Sequence, residues 1–210
     1  MSLILKRYYM LNKPAGLITA CSDARQPTVM ECFPSEERLG LFPIGRLDKD
    51  TEGLLIFTDD GTLAFEIMSP KSNIDKTYLF YAKGCVDDEK LSELCTGVKI
   101  YKGKDFTTLP AEVNIIERTT VKEVRSRFDK SDDRFSHRYA ETPITVGTIK
   151  ISEGKKHQVK RMVGYTGAKV IYLRRIAIGN LHLDERLLPG EYRALTASEV
   201  NMLLKKSESL

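Results

Sequence analysis

The sequence predicts an α+β protein built around a mixed, largely antiparallel β-sheet with flanking helices. Short apolar segments of strand character are interspersed with helical segments, and they do not follow the regular strand–helix–strand order of a parallel sheet. Turn-forming clusters at residues 12–16 and 59–61 separate some of these segments. The length of 210 residues is enough to bury a core in one large domain or two small ones.

Eight segments are predicted as strands because they are apolar, aromatic or alternating and because turn residues bound them. Residues 17–20 are predicted as the strand that returns from the turn at 12–16. The eight segments are 8–11, 17–20, 43–45, 54–58, 76–81, 111–116, 143–151 and 169–173.

Four segments are predicted as helices, at 62–68, 87–95, 156–165 and 198–206. Pro70 stops the first, and acidic residues in the first turn together with Gly97 bound the second. The third has an apolar face at i, i+3 and i+4. Thr196 or Ser198 caps the fourth.

Residues 122–142 stand apart, because they contain six Lys or Arg, five Asp or Glu, and few residues suited to a core. We expect a long hairpin tip or a partly mobile loop insertion here. An arm that contacts RNA is the alternative.

The composition is that of an ordinary soluble protein, with 33 Lys+Arg against 29 Asp+Glu and 41% hydrophobic residues. No apolar run approaches the roughly 18 residues that would span a membrane, and the amino terminus does not resemble a signal peptide. The four cysteines form no C-x-x-C pair and only three histidines are present, so we expect reduced thiols, no zinc site and a cytoplasmic location.

The polar loop in residues 45–55, G-R-L-D-K-D-T-E-G-L-L, lies between two predicted strands. Arg46 and Lys49 flank Asp48, and cationic neighbours favour the ionised carboxylate. An ionised carboxylate in a cleft acts as a nucleophile or a base. An ordinary solvated loop acid is the alternative.

A second candidate region is basic. Lys155, Lys156, Lys160 and Arg161 fall within seven residues, which is typical of a phosphate-binding stripe. For Lys155 and Lys156, a merely solvated helix face explains the pattern equally well.

The loop at 45–55 resembles the catalytic motif of pseudouridine synthases, as G-R-L-D-x-x-T-x-G-L-L. Four other segments resemble, in the same order, those of the RsuA-type enzymes that modify ribosomal RNA. They are Y-M-L-N-K-P-A-G at 9–16, K-T-Y at 76–78, E-G-K-K-H-Q-V-K-R-M at 153–162, and the carboxyl-terminal segment at 178–196. The resemblance extends over nearly the whole chain, so residues 1–210 are expected to form one catalytic domain.

The resemblance implies isomerisation of uridine to pseudouridine in RNA without a cofactor or a metal. Asp48 matches the essential carboxylate, and addition to C6 of uracil, attack on C1′ and removal of the 2′ proton all stay open. Tyr78 matches the tyrosine that stacks on the flipped base, and Lys160 matches the basic partner of the aspartate. Arg161 is expected to share that role if a lysine makes only one contact.

The resemblance also implies a curved sheet with two subdomains that meet at a catalytic cleft. Asp48 is expected on one side of the cleft, with Tyr78 and Lys160 completing it. Met162 and Leu173 are expected as apolar walls. Arg46 is expected either near the RNA or in an ion pair with Asp48 or Asp50.

Two further residues of the matching segments are expected to have structural roles. Lys13 is expected to support the floor of the cleft. His157 is expected as a hydrogen-bonded structural residue rather than a proton shuttle.

RsuA-type enzymes usually begin with a small S4-type RNA-binding domain, whereas the catalytic segment here begins at Tyr8. We therefore expect that the natural protein lacks this domain or that the sequence is a trimmed form. The carboxyl-terminal segment favours 16S rRNA as the substrate, free or in a pre-ribosomal particle, with 23S rRNA or tRNA as alternatives. A monomer is expected.

Two other function classes are alternatives. A non-catalytic RNA-binding or ribosome-assembly module is disfavoured because such a module has no physical need for Asp48. A glycosidic hydrolase would require a second, protonated carboxylic acid across the cleft, and Asp50 and Glu52 are not obviously aimed oppositely to Asp48.

Overall fold

The computed structural model describes residues 6–101 and 105–204, and the chain divides into two compact units. The first unit comprises Met1–Lys76 and Arg174–Leu210, and the second comprises Thr77–Leu173. Two units agree with the expected two subdomains.

Within the described residues the strands are β1 (Tyr8–Lys13), β2 (Phe42–Ile44), β3 (Glu52–Thr58), β4 (Lys76–Lys83), β5 (Lys99–Ile100), β6 (Phe106–Thr107), β7 (Glu112–Thr120), β8 (Pro143–Ile151), β9 (Lys169–Ile178), β10 (Leu181–His182) and β11 (Tyr192–Ala194). The α-helices are α1 (Gly61–Met68), α2 (Asp88–Glu93), α3 (Val121–Val124), α4 (Gln158–Tyr165) and α5 (Ala197–Leu204). This is the predicted α+β class.

In the first unit, β1 lies between β11 and β3 and is antiparallel to both. β2 is also antiparallel to β3. The middle of β9 runs parallel to the start of β3, with Glu52 opposite Arg174 and Gly53 opposite Arg175. One parallel pair among antiparallel ones makes the sheet mixed, as predicted.

The core of the first unit lies between its strands and the helices α1 and α5. Met10, Ile56 and Ile178 from the strands pack in one buried cluster with Ile67 of α1 and Leu203 of α5. Asp60 caps α1 by accepting hydrogen bonds from two backbone N–H groups, which satisfies donors that a helix start leaves open. The bounds of α1 therefore fall within one residue of the prediction.

In the second unit, β8 lies between β4 and β7, and β7 and β8 form a long antiparallel pair. The helix α4 places Val159, Met162 and Val163 in a buried cluster with Phe80 and Ile149, confirming its predicted apolar face. β5 and β6 form a separate small hairpin.

Residues 121–142 connect β7 to β8, but they are not a bare hairpin tip. They form α3 and three 3₁₀ turns, at Arg125–Arg127, Asp133–Phe135 and His137–Tyr139. The rings of Phe128 and Phe135 stack with centroids 3.8 Å apart, and both pack near Tyr81. Aromatic packing therefore orders a segment whose charge content had favoured a loop.

The bounds of several predicted elements differ from those in the structure, and one predicted strand does not form. Residues 17–20 do not form a strand, since they contribute only the isolated bridge of Ile18 to Thr28. The terminal helix spans Ala197–Leu204, with Thr196 Oγ1 accepting from the backbone N–H of Glu199 at 3.2 Å, and the predicted residues 205–206 lie outside the described residues.

No helix among the described residues is long and apolar enough to cross a membrane. The four cysteines are free thiols, as predicted, and Cys32 alone is not exposed.

Candidate functional site

Asp48 lies in the loop between β2 and β3, in the first unit. It is half-buried; Leu47 before it and Thr51 three residues after it are buried, whereas Lys49 and Asp50 between them are exposed. The backbone N–H of Thr51 donates to the carbonyl oxygen of Asp48 at 3.1 Å, which closes a tight turn. The carboxylate is thus carried by a short loop whose flanking residues are packed.

A hydroxyl group fixes the residue before Asp48. Thr19 Oγ1 donates to the carbonyl oxygen of Leu47 at 2.8 Å and lies 3.1 Å from the backbone nitrogen of Leu47, from which it accepts. Both side chains are buried. The peptide groups on either side of the Leu47 Cα therefore have their hydrogen bonds made by one side chain.

Lys13 supports the other side of the loop. Its side chain is fully buried, and Nζ donates to the carbonyl oxygens of Pro14 at 2.9 Å, Thr51 at 2.9 Å and Lys49 at 3.3 Å. Burial lowers the pKa of Lys13 to about 8, and the nearby carboxylates, Glu52 foremost, oppose that shift. A buried cation thus organises three main-chain oxygens under the loop.

Gly53 fixes the exit of the loop into β3. Its φ is +100°, and an added Cβ would lie 2.2 Å from the carbonyl oxygen of Arg175. Arg175 is itself buried, and its Nε donates to the carbonyl oxygen of Leu54 at 2.7 Å. The motif glycine is therefore required by a close backbone approach of β9.

Arg46 is exposed and lies two residues before Asp48 in the same loop. Contact with RNA and an ion pair with Asp48 or Asp50 both stay predictions for Arg46. The guanidinium is open to solvent beside the Asp48 loop.

Tyr78 lies on β4 in the second unit. It is half-buried and packs against the core cluster that contains Met162 and Leu173. Its hydroxyl forms no hydrogen bond with any residue that the structure describes. The ring is supported by the core while the hydroxyl is left available.

Met162 and Leu173 were expected as apolar walls of the cleft. They are 0% and 4% exposed and belong to the core of the second unit. Packing removes these apolar side chains from water, and they support Tyr78 and α4 within that cluster. Their role as walls of the cleft stays a prediction.

The turn that begins α4 is held by a buried amide. Gln158 accepts from the backbone N–H of Lys155 at 2.8 Å and donates to the carboxylate of Glu153 at 2.7 Å. His157 has a φ of +53°, a left-handed conformation that is uncommon outside glycine, and it immediately precedes the helix. This network sets the direction in which α4 leaves the strand β8.

The basic residues of this region differ in what they contact. Lys155 donates to the carbonyl oxygen of Thr107 at 2.7 Å and pairs with Glu153 at 2.9 Å, so it anchors the β5–β6 hairpin. Lys156 is exposed. Lys160 and Arg161 are half-buried, and the Arg161 guanidinium lies 4.3 Å from the ring centroid of Phe106.

The structure thus places the predicted residues in two sets. Asp48 and Arg46 belong to the first unit. The second unit holds Tyr78, Lys155, Lys156, Lys160, Arg161, Met162 and Leu173. Within the described residues, no group of three or more His, Cys, Asp or Glu is arranged to hold a metal ion.

Two residues that sequence reasoning missed belong to these sets. Thr19 was hidden inside a segment predicted as a strand. Phe106, which lies under Lys155 and Arg161, gave no signal beyond an isolated aromatic next to threonines.

Comparisons with known proteins agree with one another. A family model described as RNA pseudouridylate synthase matches residues 7–164. The chain is 42% identical to the uncharacterized RNA pseudouridine synthase YtzG of Bacillus subtilis, over 93% of this chain and 72% of that protein. It is 37% identical to ribosomal small subunit pseudouridine synthase A of Escherichia coli K12, over 92% and 72% of the two chains. A crystal structure of a pseudouridylate synthase superposes with a TM-score of 0.75 at 35% identity, covering 97% of this chain and 76% of that one.

Proposed function

The chain belongs to the RNA pseudouridylate synthase family, and on this premise we propose that it isomerises one specific uridine of 16S rRNA with Asp48 as the essential carboxylate. As a pseudouridine synthase, the protein is an isomerase that acts on RNA. The C1′–N1 bond breaks, the uracil turns, and a C1′–C5 bond forms. The proton on C5 leaves and N1 gains a proton, so the reaction consumes no co-reactant.

The observation that carries the role of Asp48 is the loop around it. A half-buried carboxylate directly follows the buried Leu47, and Thr19 and Lys13 hold the main chain on both sides. Such a carboxylate keeps a fixed direction, which nucleophilic attack or proton abstraction requires. A solvated loop acid would need none of these contacts.

Tyr78 and Lys160 are proposed to act on the same uridine. Tyr78 offers an aromatic face supported by the core and a hydroxyl without a described hydrogen-bond partner, which suits stacking on a flipped base and removal of the C5 proton. Lys160, with Arg161 beside it, is proposed as the basic partner of the carboxylate because it matches that residue of the family motif.

RNA contacts are proposed for Arg46, Lys156 and Arg161. Arg46 and Lys156 are exposed cations, which suits contact with phosphates. Lys155 is proposed to act indirectly, because its ammonium already holds the β5–β6 hairpin.

Relatives named ribosomal small subunit pseudouridine synthase A support 16S rRNA as the substrate. We propose that the protein works in the cytoplasm as a monomer, on free rRNA or on a partly assembled particle. Light scattering of the purified chain tests the monomer.

The test maps pseudouridine in 16S rRNA, 23S rRNA and tRNA from cells that lack the gene, by carbodiimide treatment and primer extension. The gene is then restored as wild type or as Asp48→Asn, which keeps shape and removes charge. We expect one 16S site to disappear on deletion and to return only with wild type. If a 23S or tRNA site disappears instead, that RNA rather than 16S rRNA is the substrate. Full restoration by Asp48→Asn would favour a non-catalytic module.

A further inference from the structure

The main chain around Asp48 is held from both sides by the segment that follows β1. On the amino-terminal side, the Thr19 hydroxyl makes both hydrogen bonds of Leu47, at 2.8 and 3.1 Å. On the carboxyl-terminal side, the N–H of Gly16 donates to the carbonyl oxygen of Lys49 at 2.8 Å, and Lys13 reaches the same oxygen. Asp48 is therefore the loop residue between two fixed points.

The Thr19 side chain makes two hydrogen bonds to a single residue. One hydroxyl is both donor and acceptor, and its two partners belong to the residue directly before Asp48. Thr19 and Leu47 are 8% and 7% exposed, so water does not readily replace either bond. Rotation of the Leu47 peptide groups, which would swing the Asp48 side chain, is opposed at both ends.

We propose that Thr19 is a positioning residue for pseudouridine formation, fixing the main chain of Leu47 and thereby the direction of the Asp48 carboxylate. This inference rests on the proposed role of Asp48. A reacting group displaced by about 1 Å costs roughly 100-fold in rate, so a contact that sets this direction affects the chemical step more than RNA binding.

The decisive variant is Thr19→Val, which keeps the volume and the β-branch but removes both hydrogen bonds. The buried N–H and C=O of Leu47 then lack their partner, and the loop shifts to recover hydrogen bonds. Thr19→Ser retains the hydroxyl and serves as the rescue variant.

The chain offers a matched control in Thr58. Its side chain is also buried in the first unit, and its hydroxyl also donates to a carbonyl, that of Arg7 at 2.7 Å, and accepts from an N–H, that of Asp60 at 3.0 Å. Thr58→Val therefore removes the same pair of bonds away from the Asp48 loop. Any cost common to both variants reports loss of stability alone.

The assay is single-turnover pseudouridine formation with enzyme in excess, on RNA extracted from cells that lack the gene, together with the unfolding temperature of each variant. We expect Thr19→Val to lower the maximal rate by about 30-fold or more, with the half-saturating enzyme concentration changed less than about twofold. Thr19→Ser and Thr58→Val should stay within about threefold of the wild-type rate.

The inference is wrong if Thr19→Val slows the reaction no more than Thr58→Val does, or if it changes only the half-saturating concentration; the role of Asp48 would then stand. Asp48→Asn is measured alongside, and a wild-type rate for that variant would overturn both proposals. If Thr19→Val does not fold, Thr19→Cys replaces it, because a thiol of similar size is a weak donor and acceptor, and the same comparisons decide.

Discussion

The ammonium group of Lys13 lies 2.9 Å from the carbonyl oxygen of Thr51, three residues beyond Asp48, in a position fully removed from solvent. The same group reaches the carbonyl oxygens of Pro14 and Lys49. Three carbonyl dipoles therefore solvate a buried cation and tie β1 to the Asp48 loop.

This arrangement predicts a pH-dependent stability that belongs to Lys13. Burial lowers its pKa in the folded protein to about 8 from 10.5, so the unfolded chain binds more protons between these values. The free energy of unfolding of wild type should therefore rise, relative to that of Lys13→Met, as the pH increases from 8 to 10.5. Below pH 8 the difference between the two proteins should be constant.

The measurement is urea unfolding of both proteins at half-unit pH steps. Tyrosines that titrate at high pH are present in both and cancel in the difference. Parallel curves from pH 7 to 10 would contradict a lowered pKa for Lys13.

Gly53 and Gly164 predict opposite responses to alanine. A Cβ at Gly53 would lie 2.2 Å from a backbone oxygen at a φ of +100°, so we expect Gly53→Ala to lower the free energy of unfolding by more than about 2 kcal/mol. Gly164 lies in α4 with no atom within 4 Å of such a Cβ, and Gly164→Ala should raise it by roughly 0.5–1 kcal/mol. Equal effects in denaturant titrations would argue against the close approach of β9 to Gly53.

Tyr78→Phe should separate activity from stability. Because the hydroxyl has no partner among the described residues, its removal should change the free energy of unfolding by less than about 0.5 kcal/mol. Pseudouridine formation should fall by about 100-fold or more if the hydroxyl transfers the C5 proton.

Tyr165→Phe is the control, since the Tyr165 hydroxyl donates to Glu93 outside the proposed site. It should keep its activity in the same assay. A fully active Tyr78→Phe would limit Tyr78 to stacking.

Local patterns predicted those elements whose periodicity or caps lie within the segment itself. β8 has its predicted bounds, and α4 begins two residues later than predicted because His157 is left-handed. The strand predicted at residues 17–20 is wrong for a physical reason. The Thr19 hydroxyl donates to Leu47, 28 residues away, and sequence periodicity carries no information on such a contact. The start of α3 was readable, since Thr120 and Glu123 form a T-x-x-E capping box.

For the candidate site, the sequence identified the motif residues but not the contacts that hold them. Resemblance pointed to Asp48 and Tyr78, which the structure places on a clamped loop and on a core-supported strand. It also suggested Met162 and Leu173 as walls, which stays a prediction, and the structure shows both side chains buried in the core of the second unit. The supporting contacts of Lys13 and Thr19 depend on main-chain oxygens far along the chain, so no motif encodes them.

The final prediction concerns acid stability of the carboxyl-terminal segment. Hydrogen bonds from the Arg193 guanidinium, at 2.7 and 3.0 Å, lower the pKa of Glu199 to about 2 from 4.5, and the backbone N–H of Thr196 adds to the shift. A lowered folded-state pKa gives stability that is complete above pH 4.5 and is lost as the pH falls towards 2. Glu199→Gln should therefore be less stable than wild type by about 1 kcal/mol at pH 7, a value that allows for solvent screening.

The difference should stay constant down to about pH 5 and shrink below 4.5, as thermal unfolding at each pH can measure. Glu185→Gln is the control, because Glu185 is exposed in the same unit and forms no hydrogen bond with the described residues. That variant should follow wild type at every pH. If the stability of Glu199→Gln also follows that of wild type at every pH, the Arg193 contact does not stabilise the folded chain. The start of α5 would then depend on Thr196 alone.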